Sequence, residues 1–136
     1  MNFEKAIHKA SIKLKKNNIK SHLLDSEILM SNVLNKDREF VILNLDKDLK
    51  ENNYHHYQKL VDQRSRGKPI AYLIGKKSFW KYEFDINENV LIPRPDTELI
   101  IENILKIYKN RKTLNFLDIG VGSGCILLSI LKEKKN

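Results

Sequence analysis

The sequence predicts a mixed fold: an N-terminal all-α bundle, then a β-hairpin, then the start of an α/β unit. Three observations predict it. Apolar residues recur at helical spacing through residues 1–74. From Gly75 the texture changes to closely spaced aromatic and β-branched residues. Finally, an apolar run from Leu114 to Ile119 leads directly into Gly120-Val121-Gly122-Ser123-Gly124 and a further helical pattern.

Phe3, Ala6, Ile7, Ala10 and Leu14 define one face of the first helix, and Asn17-Asn18 stops it. Ser21 is the expected N-cap of the second. Leu24, Ile28, Ser31 and Leu34 run along that helix, and Leu23, Leu29, Met30 and Val33 widen the apolar face. A helix apolar around so much of its girth belongs at the centre of a bundle. Asn35-Lys36 closes it. Asp37 caps a short third helix whose inner residues are Phe40, Val41 and Leu43. Asn52 or Asn53 is the expected cap of a fourth, with Tyr54, Tyr57, Leu60 and Val61 inward and Gly67 and Pro69 at its end.

Phe79, Tyr82, Phe84 and Ile86 are strand formers. Asn87-Glu88-Asn89 is a turn signal, and Val90-Leu91-Ile92 completes the expected hairpin. Pro95 suits the first turn of a helix, where Asp96 and Glu98 meet the positive end of the dipole. Leu99, Ile100, Asn103, Ile104 and Ile107 carry the helical period to about Lys109. Leu114 to Ile119 is then a buried strand, and Ile126, Leu127, Ile130 and Leu131 mark the closing helix.

Composition excludes several classes. Of 136 residues, 41% are hydrophobic and 31% charged, an ordinary globular balance. No apolar run approaches the roughly 18 residues of a membrane helix, and Met1 to Lys16 has no signal-peptide core. The single cysteine excludes an internal disulfide framework and a Cys-rich zinc site and points to a reducing cytoplasm. No metal site is expected, because His55 and His56 are adjacent and point about 100° apart on a helix. The net charge of +8 is uneven: residues 1–76 hold 15 Lys+Arg and 9 Asp+Glu, residues 77–136 hold 10 and 8. A basic N-terminal part fits an acidic protein surface, a ribosome or nucleic acid, or simply solvated helix faces.

The glycine loop is the chemical centre. Glycines let backbone approach a ligand, and the following helix offers free N–H groups to an anion. A P-loop needs a lysine that is missing here. A dinucleotide fingerprint needs a third glycine where Cys125 stands. The remaining ligand is S-adenosylmethionine, with its carboxylate at the helix N-terminus and its amino group on Asp118. The competing reading is a tight strand–helix turn without a ligand. Cys125 itself reads as a small buried residue.

Two further stretches bear on this: Arg64-Ser-Arg-Gly-Lys-Pro69-Ile-Ala71-Tyr72-Leu-Ile-Gly75, and Val90-Leu-Ile-Pro93-Arg94-Pro95-Asp96-Thr97-Glu98. With Asp118-Ile-Gly-Val-Gly-Ser-Gly-Cys125, the chain resembles in order and spacing the HemK/PrmC family, the release factor glutamine methyltransferases. Lys81, where the family often has glycine, and Val121, where Thr or Cys is common, are small departures. The resemblance implies three parts. Residues 1–74 would be a helical release-factor-binding domain and residues 75–95 a β-hairpin linker. Residues 96–136 would be an incomplete class I (Rossmann-like) S-adenosylmethionine-dependent methyltransferase domain.

The implied reaction moves a methyl group from S-adenosylmethionine to the glutamine side-chain amide of the Gly-Gly-Gln motif of peptide chain release factors, in translation termination. The implied cofactor-binding residues are Asp118, Gly120, Val121, Gly122, Ser123 and Gly124, with Arg94, Thr97 and Glu98 as further candidates. The family's Asn-Pro-Pro-Tyr motif does not occur in the chain, so no catalytic residue is assigned and catalysis is expected to need further sequence. Release factors are the implied partners, with ribosome association as an extension and neither membrane nor direct nucleic-acid binding expected. The alternatives are a non-catalytic release-factor or ribosome-binding module and a nucleic-acid methyltransferase fragment.

Overall fold

The computed structural model describes residues 1–111 and 113–134. The chain is helix-rich, with one small two-stranded antiparallel sheet. It divides into two compact units, residues 1–74 and 75–136. Among the described residues, no helix is long and apolar enough to cross a membrane.

The first unit is built from α1 (Phe3–Lys16), α2 (His22–Leu34), α3 (Arg38–Leu43), α4 (Glu51–Ser65) and α5 (Ile70–Ile74). All five periodic residues of α1 are buried. They join Leu29, Met30, Val41, Leu49, Tyr57, Leu60 and Val61 in one core. α2 packs against α1, α3, α4 and α5, the central position its apolar girth predicts, but its buried residues are Asp25, Ser26, Leu29 and Met30, while Leu23 and Leu24 of the expected face are exposed. Asp37 caps α3 as expected, accepting from the Phe40 N–H at 2.7 Å. An unforeseen cap is Asn2, whose Oδ1 accepts from the Lys5 N–H at 3.1 Å.

Three local expectations fail for identifiable reasons. Ser21 precedes α2 but makes no capping bond. Its hydroxyl instead donates to Asp25 Oδ2 at 3.0 Å. α4 starts at Glu51, so Asn52 and Asn53 lie inside it rather than capping it. On α3, Val41 points into the core, and Leu43, about 200° further round, is 81% exposed.

The buried polar group that organises this unit is Asp25, 3% exposed. Arg64 Nε on α4 donates to Asp25 Oδ2 at 2.6 Å, and Arg64 Nη1 donates to the Lys68 carbonyl at 3.1 Å. One guanidinium thereby ties α2 to α4 and to the turn that ends α4. Nearby, the Tyr57 hydroxyl donates to the Ser26 carbonyl at 3.0 Å. Burial pushes the Tyr57 phenol well above the ordinary tyrosine range.

The second unit contains the hairpin β1 (Lys76–Phe79) and β2 (Tyr82–Asp85), then α6 (Glu98–Ile107) and α7 (Cys125–Lys134). The strands pair from Lys76–Asp85 to Phe79–Tyr82. The hairpin turn is therefore Trp80-Lys81. Asn87-Glu88-Asn89 does turn the chain, with the Val90 N–H donating to the Asn87 carbonyl at 3.1 Å, but residues 90–92 form no strand after it. Trp80 takes φ +57°, the left-handed conformation that two-residue hairpin loops demand. An aromatic residue gives no sequence signal for it. The strain is held by specific bonds: the Trp80 N–H donates to Glu98 Oε1 at 2.8 Å and its Nε1–H to Glu133 Oε1 at 3.0 Å. Glu133 also accepts from Lys81 Nζ at 2.9 Å and the Tyr82 hydroxyl at 3.1 Å.

The core of this unit is Phe79, Ile101, Cys125 and Ile130, flanked by Trp80, Phe84, Ile104, Leu105, Phe116 and Ile126. Ile101 is thus the inward residue of α6, while Leu99, Ile100 and Ile107 are exposed, against expectation. α6 is apolar on two faces, and its sequence alone does not say which one packs. The expected strand over 114–119 does not form. A strand is defined by its partners, and this segment has none among the described residues. Its side chains alternate between half-buried and exposed, leaving Leu117 and Ile119 86% and 88% accessible.

Two outcomes test these contacts. Arg64→Met strands a buried carboxylate, and we expect it to destabilise the helical unit by about 3–5 kcal/mol in urea unfolding. Joint replacement, Asp25→Leu with Arg64→Met, should cost less than the single change. Separately, the hydrogen bonds of Lys81, Trp80 and Tyr82 hold the Glu133 carboxyl below its usual value of 4.5. A depressed carboxylate contributes stability above its unfolded pKa and loses it as pH falls through the folded one. Trp80 fluorescence should therefore stay constant from neutral pH to about 4.5 and change only below it, and Glu133→Gln should abolish that step.

Candidate functional site

The candidate site is the segment from Asp118 to the first turn of α7. Gly120, Gly122 and Gly124 have φ of +82°, +54° and +74°. An L side chain is strained at such angles. At Gly124 a Cβ would also lie 3.3 Å from Leu128 Cδ1. The Gly124 N–H donates to the Val121 carbonyl at 2.8 Å, closing a tight turn, and the Gly124 carbonyl accepts from the Leu128 N–H at 2.9 Å, opening the helix. The first N–H groups of a ten-residue helix thus follow a loop of exposed or half-buried residues, with Val121 exposed and Ser123 half-buried.

Asp118 adds a second, independent feature. Its Oδ2 is buried and has no hydrogen-bond partner among the described residues. A carboxylate oxygen removed from water without a donor is costly, so this atom calls for a donor that the described residues do not supply. The Ser129 hydroxyl on α7 is likewise buried without a partner. Cys125 is buried, 7% exposed, as its flanking residues suggest.

The other candidates sit elsewhere. Arg94 is exposed and precedes the 3-10 turn Pro95–Thr97 without capping it. Thr97 is half-buried, and its side chain makes no capping bond to α6. Glu98 binds the Trp80 N–H of the hairpin turn. Among the described residues, no hydrogen bond or ion pair links Arg94, Thr97 or Glu98 to the glycine loop. Two structurally decisive carboxylates, Asp25 and Glu133, carry no local motif, and only tertiary contact reveals them.

The profile of the PrmC N-terminal domain family matches residues 5–75, just over half of the chain. The chain belongs to this family. Its curated relatives include the Leptospira interrogans release factor glutamine methyltransferase, 41% identical over 90% of this chain and 43% of that protein. The Clostridium acetobutylicum release factor glutamine methyltransferase is 38% identical over all of this chain and 48% of its own length. The Rickettsia conorii bifunctional methyltransferase is 35% identical over 93% of this chain and 29% of its own. The chain spans less than half the length of these relatives.

The loop geometry has a direct stability consequence. Gly124→Ala should cost about 1–2 kcal/mol, the penalty of a left-handed alanine, measured by urea unfolding with Trp80 fluorescence. An unchanged midpoint would show that the turn relaxes freely.

Proposed function

We propose that this chain forms the helical domain, hairpin linker and cofactor-loop portion of an S-adenosylmethionine-dependent methyltransferase that modifies the glutamine amide of peptide chain release factors. In this reading, residues 1–74 bind the release factor, residues 75–95 link, and residues 96–136 begin a class I α/β domain. Residues 114–119 take the place of its first strand once paired. The setting is cytoplasmic translation termination.

The observation that carries the reading is the orphaned Asp118 oxygen immediately before the glycine loop and the N-terminus of α7. Membership in a family whose curated relatives are named methyltransferases supports it. The residues present fit the cofactor. Asp118 would accept from its ammonium group, and the N–H groups that open α7 would face its carboxylate. Residues 120–124 would let the backbone approach. When bound, the cofactor supplies a methyl group on a positively charged sulfur.

What this chain's own residues do is bind and orient. Arg94 and Thr97, which lie outside the glycine loop, are given no role in cofactor binding here. Glu98 acts through the hairpin turn it holds. No residue here is assigned to the activation of the amide.

Isothermal titration of the chain with S-adenosylhomocysteine, which keeps the same amino-acid end, tests the reading. We expect one site. Asp118→Asn should weaken it by roughly ten- to a hundredfold, the loss of a charged hydrogen bond. Unchanged affinity in Asp118→Asn, or equal binding of a nicotinamide dinucleotide, would refute it.

A further inference from the structure

The helical unit carries a groove that the glycine loop does not explain. It lies between α1 and α4 and has a volume of about 150 Å³. Its floor is apolar: Ala6 and Ala10, one helical turn apart on α1, face Tyr57 and Val61 on α4. Two small residues at i and i+4 keep it open, because any longer side chain there would fill it. The volume suits one aliphatic or phenyl group.

The rim is basic. Lys9 and Lys13 line it on α1. A wider hollow of about 640 Å³ continues past Lys13 along α4, with His55 and Lys59 on its wall. The acidic group of this rim, Asp62, is already paired with Lys13. Lys9 and Lys59 are exposed and have no ion-pair partner among the described residues. They leave uncompensated positive charge beside the apolar slot, at Lys9, and along the hollow that continues from it, at Lys59.

We propose that the α1–α4 groove docks an acidic protein segment carrying one apolar anchor side chain. The anchor enters the slot floored by Ala6 and Ala10, and flanking carboxylates meet Lys9 and Lys59. Both halves of the surface are then used. A nucleic-acid backbone would use the lysines but not the apolar slot, and its bases stack on exposed aromatic faces, whereas Tyr57 is buried and Tyr54 half-buried here. The proposal is independent of cofactor binding, because it rests on residues 1–74 alone.

Fluorescence anisotropy of the full chain with a labelled peptide of Asp, Glu and Ser around one central Leu tests it. Replacing that Leu by Ser should weaken binding about tenfold, the loss of one buried aliphatic side chain. Lys9→Glu with Lys59→Glu should also weaken it about tenfold, whereas Lys15→Glu with Lys20→Glu, the same charge change elsewhere, should have little effect. Absence of binding, equal affinity for the Ser peptide, equal loss in both double variants, or tighter binding of oligouridine at physiological salt would each overturn the proposal. A wild-type measurement guards against misfolded variants. Amide NMR shifts induced by the Leu peptide should centre on Ala6, Ala10 and Val61, and shifts centred elsewhere would overturn it equally.

Discussion

The carboxylate of Asp25 sits where water cannot reach it, and the helical unit is arranged so that it is never alone. Ser21 donates to it from the preceding turn and Arg64 from another helix. The same guanidinium fixes the Lys68 carbonyl, and so the exit of α4. A buried ion pair adds little to stability compared with apolar residues of the same shape. Its value is directional: apolar faces can slide and rotate against one another, whereas a donor 2.6 Å from its acceptor has one register. The position of α4 relative to α2, and with it the groove against α1, follows from that register.

The second unit solves a different problem with the same chemistry. It has a two-stranded sheet, which is marginal by itself, and a tryptophan in a backbone conformation that its side chain disfavours. Glu98 and Glu133 reach the turn from α6 and α7 and together satisfy the Trp80 backbone N–H, its indole, Lys81 and Tyr82. The hairpin tip is therefore held by helices rather than by turn residues.

Much of this was legible in the sequence, and the failures share a cause. The inward face of α1, the central position of α2, the Asp37 cap and the family all follow from local spacing or motif. Ser21 does not cap because its backbone, at φ −84° and ψ 22°, lies outside the extended region a capping residue needs, and its hydroxyl bonds Asp25 instead. The hairpin turn was misplaced because Asn87-Glu88-Asn89 has turn chemistry and Trp80-Lys81 does not. Leu99 and Ile100 carry the helical period of α6 but face outward, because both faces of the helix are apolar and only packing chooses between them. At the candidate site, the left-handed glycines could be anticipated from composition. The orphaned Asp118 oxygen could not, because burial belongs to the fold and not to the residue.

Leu114 to Ile119 has a further consequence, for behaviour in concentrated solution. Its backbone has no ladder partners among the described residues, and Leu117 and Ile119 on its outer side are large and apolar. Such a segment is a template for pairing with the same segment of another molecule, the geometry from which fibrils and amorphous aggregates grow. The countervailing force is repulsion between like-charged chains, since each carries a net charge of +8. Salt that screens this charge lowers the barrier while leaving the exposed edge intact.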